Sequence, residues 1–271
     1  MTRKVITYIL LIAAVIVSLF PFYFMFVSAT NSNAEILSST PLLTFGNRLA
    51  HNITQLDKKI NILRVLKNSL FITISYTMLA VLFHSMAGYA LVKYDFKGKS
   101  IFFAMIMLTM MIPAQVLYIP LFTLMNSIGM TNTHAAVILP ALANAFGVFL
   151  MRQNMMNFPT SIIEAARIDG SSEIGTFFKV VLPNMKPALG ALSIYMFMAM
   201  WNSFMWPLIV LSTKSKYNFP VALATLDGNT WQKDYGVTML AAAISVIPIM
   251  IMFVVGQKQF ISGLMGGAVK E

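Results

Sequence analysis

The chain has 271 residues, 58% of them hydrophobic and only 10% charged, with a mean hydropathy of +0.76, whereas a soluble domain carries about 25% charged residues. This excludes an ordinary soluble globule and makes the protein an integral membrane protein. The lack of cysteine excludes disulfides and thiolate metal sites, and the net charge of +10, scattered between apolar runs, fits lipid head groups better than nucleic acid.

Taken in chain order, stretches free of Asp, Glu, Lys and Arg predict six transmembrane helices at about 5–29, 68–92, 101–124, 134–151, 188–211 and 236–256, since crossing a bilayer takes about 20 residues. Arg3 and Lys4 precede the first run, and Val27, Ser28 and Ala29 resemble a cleavage site. Signal h-regions extend over about 7 to 15 residues, so the longer 5–29 run is read as an uncleaved span. A polar loop over 31–67 follows. Pro113, Pro207 and Pro248 lie within later spans and predict kinks. Residues 1–271 are read as one membrane domain without internal repeats.

The polar loop at about 152–187 carries the densest set of local signals. Ser161 stands three residues before Glu164, the spacing of a capping box, which predicts a helix start. Gly170 follows about two turns later, where a C′ residue adopts positive φ. Ser171 or Ser172 can cap a second helix with apolar positions Ile174, Phe177, Phe178 and Val181, ending at Pro183. The expected product is a helix, turn and helix able to act as a docking knob.

Several chemistries are missing. The acidic residues Glu35, Asp57, Asp95, Glu164, Asp169, Glu173, Asp227, Asp234 and Glu271 all lie outside the predicted spans, whereas ion-coupled carriers keep carboxylates at membrane depth. His84 is the one titratable group deep in a span, and it reads as a hydrogen-bonded packing residue. Gly98, Lys99 and Ser100 resemble the end of a phosphate-binding loop, but Lys93 stands where that pattern needs glycine. No nucleophilic triad, paired carboxylate or metal-ligand pattern is present, so the chain is read as a non-catalytic subunit with no metal and no cofactor of its own. Uphill transport then needs a partner's energy. The many methionines read as adaptable packing. Gln115, Trp201, Asn202 and Trp206 lie in the predicted spans, where aromatic residues more often pack or anchor at interfaces; their ring faces and amides could also line the path of a hydroxyl-rich solute such as a sugar.

Glu164, Ala165 and Ala166, then Gly170, then Val180, Val181, Leu182 and Pro183 resemble the EAA loop of ABC-importer permeases, E-A-A, three residues, G, nine residues, I-x-L-P, with valine at the isoleucine position. Asn68-Ser69, Ala87-Gly88-Tyr89-Ala90, Phe96-Lys97-Gly98, Ile112-Pro113, Arg167-Ile168-Asp169-Gly170, Trp201-Asn202-Ser203-Phe204, Trp206-Pro207 and the glycine-rich tail from Gly263 to Lys270 extend the likeness, which is greatest to carbohydrate-uptake permeases of the maltose-transporter type. His51-Asn52-Ile53 departs from the Asn-Tyr pair usual there.

This resemblance implies the type I ABC importer permease fold, all-α, with a cytoplasmic coupling-helix loop between helices 4 and 5 and both termini cytoplasmic in a prokaryotic plasma membrane. It implies a second permease subunit, two ATP-binding subunits that carry ATP and Mg, and an extracytoplasmic solute-binding protein. Glu164, Ala165, Ala166, Arg167, Asp169, Gly170, Leu182 and Pro183 would be the ATPase-coupling residues. The expected function is import of sugars or oligosaccharides; the alternatives are a permease for a peptide or phosphate compound and an ion-coupled carrier.

Overall fold

A computed structural model describes residues 2–39, 42–226 and 233–265. The helices in chain order are α1 (Thr2–Ser28), α2 (Asn33–Ile36), α3 (Leu49–Ile60), α4 (Ile62–Lys93), α5 (Lys99–Thr109), α6 (Tyr118–Ser127), α7 (His134–Ala141), α8 (Ala145–Met156), α9 (Thr160–Ile168), α10 (Glu173–Thr176), α11 (Leu182–Asn184), α12 (Lys186–Trp201), α13 (Met205–Val210), α14 (Phe219–Leu226) and α15 (Tyr235–Met265). No strand occurs among the described residues. The fold is all-helical, as the unbroken apolar runs require: in lipid, a helix satisfies its own backbone groups.

Among the described residues, three helices are long and apolar enough to cross a membrane, Arg3–Ser28, Ile62–Lys93 and Tyr235–Lys258, and five spans result if each of two bent pairs counts as one. The predicted helix 101–124 is one such pair, bent by 93°. Pro113, extended at φ −60°, ψ 128°, interrupts it between α5 and a short 3₁₀ turn at Ala114–Leu117. The predicted helix 134–151 is the other pair, bent by 45° between α7 and α8. Pro140 cannot donate within α7, and Asn144 starts α8 by accepting the Gly147 N–H at 3.0 Å. The predicted helix 188–211 is interrupted at residues 202–204, between α12 and α13. The second predicted span starts earlier than expected, at Ile62 rather than 68, because Arg64 and Lys67 sit on exposed turns of the same helix.

The chain divides into two compact units, Met1–Leu66 with Phe219–Pro248, and Lys67–Asn218 with Ile249–Glu271. In the first unit a polar knot follows α1. Asn31 Nδ2 donates to Val27 O at 2.9 Å and Thr44 O at 3.1 Å, and Asn52 Nδ2 donates to Ala29 O at 2.9 Å. Asn52 is thus a buried structural residue of α3. Asn33 ties the start of α15, giving one bond to Lys233 O and accepting one from Tyr235 N, each 2.8 Å. Val5, Leu10, Val15 and Leu19 along α1 are exposed, an apolar surface that lipid or protein must cover.

The second unit has a core built from α4, α8 and α12, with Ile72, Tyr76 and Ala80 against Met151, Met155, Leu192 and Met196. Met125, Met185 and Met200 join it, in keeping with methionine's role in filling irregular gaps. Gly88 permits close contact: a Cβ there would lie 2.7 Å from Met151 Cβ and 2.8 Å from Arg152 N. His84 is buried, and its Nε2 lies 3.0 Å from Leu142 O, in the break between α7 and α8. A carbonyl only accepts, so that nitrogen carries the proton, and His84 serves as the packing residue expected of it.

Candidate functional site

The loop between α8 and α12 lies wholly in the second unit. Its first helix, α9, begins at Thr160, with Pro159 as N-cap and no side-chain cap. The expected capping box of Ser161 and Glu164 therefore does not form. Pro159, at φ −61°, presets the chain and needs no N–H partner, so the helix starts before Ser161 and places it inside the first turn. α9 turns Ile163 and Ala166 inward, both buried, and presents Glu164, Ala165, Arg167, Ile168 and Asp169 outward. Ile168 is 86% exposed, a large apolar side chain at the tip of the knob.

The C-terminal end of α9 follows the sequence expectation closely. Asp169 is the C-cap and Gly170 adopts φ +81°. Gly170 N bonds to Arg167 O at 3.0 Å and Ser171 N to Ala166 O at 2.9 Å, the paired bonds of a Schellman motif that satisfy carbonyls the helix end leaves open. Of the two candidate caps, Ser172 is used: its Oγ accepts from Gly175 N at 3.1 Å and starts α10.

Pro183 does not end the second helix. The segment passes from α10 through a π turn at Phe177–Val181 into α11 and then reaches Lys186, with Pro183 in the first turn of α11. A proline in a regular helix removes a bond and clashes with the carbonyl four residues back; the wider π turn just before it opens that spacing. Phe177 and Val181 are buried, Leu182 is half-buried, and Pro183, Ile174 and Phe178 are exposed. An apolar recess of about 290 Å³ opens between Met86, Tyr89, Tyr94, Ile174, Phe177 and Phe178.

The turn is locked by a cluster that motif reading passed over. Arg167 donates twice to Glu173, Nε to Oε1 at 2.8 Å and Nη2 to Oε2 at 3.1 Å, and the Tyr94 hydroxyl donates to Glu173 Oε2 at 2.6 Å. The Arg167 bond first, and the Tyr94 bond second, hold the Glu173 carboxyl below the usual carboxylate range. The same bond to Glu173 is the main reason the Tyr94 hydroxyl is pushed up to about 12. Glu173 lies six residues beyond Arg167 and 79 residues beyond Tyr94, and nothing local in the sequence links the three.

The residues assigned to a sugar path are not gathered on one exposed face. Trp206 is buried, donates from Nε1 to Ala136 O at 2.9 Å and stacks on Tyr118 with ring centroids 6.1 Å apart. Trp201 is buried and parallel to Phe197 at 6.0 Å. Asn202 is exposed, with Nδ2 bonded to Met198 O at 2.9 Å, and Gln115 is exposed in the 3₁₀ turn after Pro113. The tail beyond residue 265, with Asp227 and Glu271, lies outside the described residues.

The described residues thus form a helical membrane protein that carries an exposed knob at α9, closed by hydrogen bonds at Gly170. Comparison with known proteins gives the family: residues 80–264 match the family of binding-protein-dependent transport system inner membrane components, and the chain belongs to it. It is 42% identical over 203 residues to the arabinooligosaccharides transport system permease protein AraQ of Halalkalibacterium halodurans, covering 75% of this chain and 72% of that protein. It is 34% identical over 262 residues to the lactose transport system permease protein LacG of Rhizobium radiobacter, covering 97% and 95%. Its fold superposes with a TM-score of 0.81, at 25% identity and over 96% of each chain, on a chain from the crystal structure of a bacterial ABC transporter involved in the import of the acidic polysaccharide alginate.

Proposed function

We propose that this chain is the permease subunit of an ATP-driven, binding-protein-dependent importer of sugars or oligosaccharides. The observation that carries the reading is the exposed α9 knob with its Schellman closure at Gly170, set in a chain whose relatives are named for arabinooligosaccharide and lactose transport. The complex would contain a second permease subunit, two ATP-binding subunits holding ATP and Mg, and an extracytoplasmic solute-binding protein. Six spans would place both termini and the loop on the cytoplasmic side of a prokaryotic plasma membrane.

In this mechanism α9 docks in a cleft of the ATP-binding subunit. Glu164, Ala165, Arg167 and Asp169 offer the contact surface, Gly170 shapes the turn, and Leu182 and Pro183 anchor the return to α12. Closure of the ATPase on ATP carries the docked helix, and the spans exchange inward- and outward-facing states. Nucleotide can shift that equilibrium only through contacts that differ between the two states, which calls for a stiff knob rather than a loose loop. With Trp201 and Trp206 packed inside, Gln115 and Asn202 are the members of the quartet left to meet solute.

The test is reconstitution of the chain with its partner permease, ATP-binding subunits and binding protein in proteoliposomes, offering arabinotriose, lactose and, as a phosphate-bearing control, glycerol 3-phosphate. Binding-protein-stimulated ATP hydrolysis with uptake of a saccharide is expected. Uptake by the isolated chain on an ion gradient, or stimulation by glycerol 3-phosphate alone, would overturn the reading.

A further inference from the structure

We infer that Lys93, the last residue of α4, and Tyr94, the residue after it, form a two-pronged strut that carries displacement of α9 into the α4 span. This rests on reading α9 as the docking helix. The observation is that the two residues hold opposite ends of that helix. At the N-terminal end, Lys93 Nζ donates to Phe158 O at 2.7 Å and lies 3.3 Å from Thr160 Oγ1. At the C-terminal end, Tyr94 Oη donates at 2.6 Å to Glu173, which is paired with Arg167 on the last turn of α9.

The bases of both prongs are themselves restrained. Lys99 Nζ donates to Tyr94 O at 2.9 Å, and to Val92 O and Asp95 Oδ1 at 3.3 Å each, so the chain leaving α4 is held in place. The Tyr94 ring meets Tyr89 edge to face at 5.7 Å, and Tyr89 in turn meets Phe177 at 5.4 Å. A single contact at one end of α9 would let the helix pivot about it. Contacts at both ends, made from the last residue of α4 and the one that follows it, oppose pivoting, so that a push on α9 moves it together with the end of α4. The bonds at one end run to a backbone carbonyl and a hydroxyl, and at the other to a carboxylate already engaged by arginine. Charge-assisted bonds are roughly twice as strong as neutral ones, and both prongs include one. Lys93 and Tyr94 are thus positioning residues: they need touch neither solute nor nucleotide.

The test uses the full complex in proteoliposomes with Lys93→Met, Tyr94→Phe and the double variant; Tyr94→Phe removes one hydroxyl and keeps the ring. The chain has no cysteine, so one introduced at Leu63, 63% exposed near the other end of α4, reports that span through its rate of reaction with a maleimide, with and without ATP and vanadate. The double variant is expected to co-purify with the ATP-binding subunits and hydrolyse ATP while the nucleotide-dependent change at position 63 shrinks about tenfold, within the range usual for coupling between sites. The single variants should fall between it and the parent. A double variant that keeps the parent's change overturns the inference, as does a parent showing no change. Loss of the change together with loss of co-purification in Tyr94→Phe would also overturn it, by showing that the residue only holds the fold. The cysteine readout requires no solute, so failure of saccharide uptake by the parent counts against the proposed function and not against the strut.

Discussion

The indole N–H of Trp206 donates at 2.9 Å to the carbonyl of Ala136, the carbonyl that Pro140, four residues on, cannot serve. α7 carries Pro140 in its interior, and proline has no N–H to return to the residue four back. Ala136 is buried away from bulk solvent, and a tryptophan from another helix supplies the donor.

Trp206→Phe should therefore destabilise the protein by about 1 to 3 kcal/mol, the cost of a buried acceptor left without a partner. Pro140→Ala restores an N–H at the right position and should recover much of that loss in the double variant, giving a non-additive cycle. Thermal melting in detergent of the four proteins checks this; additive losses would show that the Trp206 bond is not what Pro140 makes necessary.

Gly170 is at φ +81°, and a Cβ built there meets no atom within 4 Å. Any penalty at this site is backbone strain rather than crowding. Asparagine tolerates the left-handed region better than most residues, and a left-handed L-residue costs about 1 to 2 kcal/mol. Gly170→Asn should lose least, Gly170→Ala more and Gly170→Val most in melting temperature and, if α9 docks as proposed, in co-purification with an ATP-binding subunit. Gly170→Pro should insert in the membrane and lose association or transport.

At Gly88 the argument reverses. Alanine is the better helix former by about 1 kcal/mol, yet the added carbon would press on Met151 Cβ and Arg152 N, and overpacking costs typically about 1 to 3 kcal/mol. Gly88→Ala should lower the melting temperature despite its helix propensity; a rise would show that α4 and α8 can separate without loss.

The Glu173 carboxyl is held low, chiefly by Arg167. A depressed carboxylate contributes stability that is present above its unfolded value and lost as pH falls through the folded one. The parent and Glu173→Gln should differ in melting temperature at pH 7 and converge as pH falls below the ordinary glutamate value of 4.5. In an Arg167→Gln background the remaining difference, owed to Tyr94, should be smaller and should vanish at a higher pH. A gap that stays constant with pH would assign the effect of Glu173 to packing.

The legible part of the site was the part written in local chemistry. Gly170 as the turn, a serine cap on α10 and the inward Phe177 and Val181 all follow from residue type and spacing within one or two turns. Ser161 and Glu164 have capping-box spacing, yet Pro159 presets α9 from Thr160 and the box does not form. Spans three to five looked continuous because charge-free length says nothing of direction; Pro113, Pro140 with Asn144, and the Asn202–Phe204 break changed it. The bond from Tyr94 to Glu173 joins residues 79 apart, and no local pattern shows it.

The sequence by itself determined that this is a helical membrane protein with its signal-rich loop between the fourth and fifth apolar runs, because burial in lipid and helix-end chemistry act on neighbouring residues. Only the tertiary structure decided which polar groups complete one another: Trp206 with Ala136, His84 with Leu142, and Lys93 and Tyr94 with the two ends of α9. Those pairings depend on which buried donors and acceptors the packing of distant helices leaves open, and no local pattern encodes that.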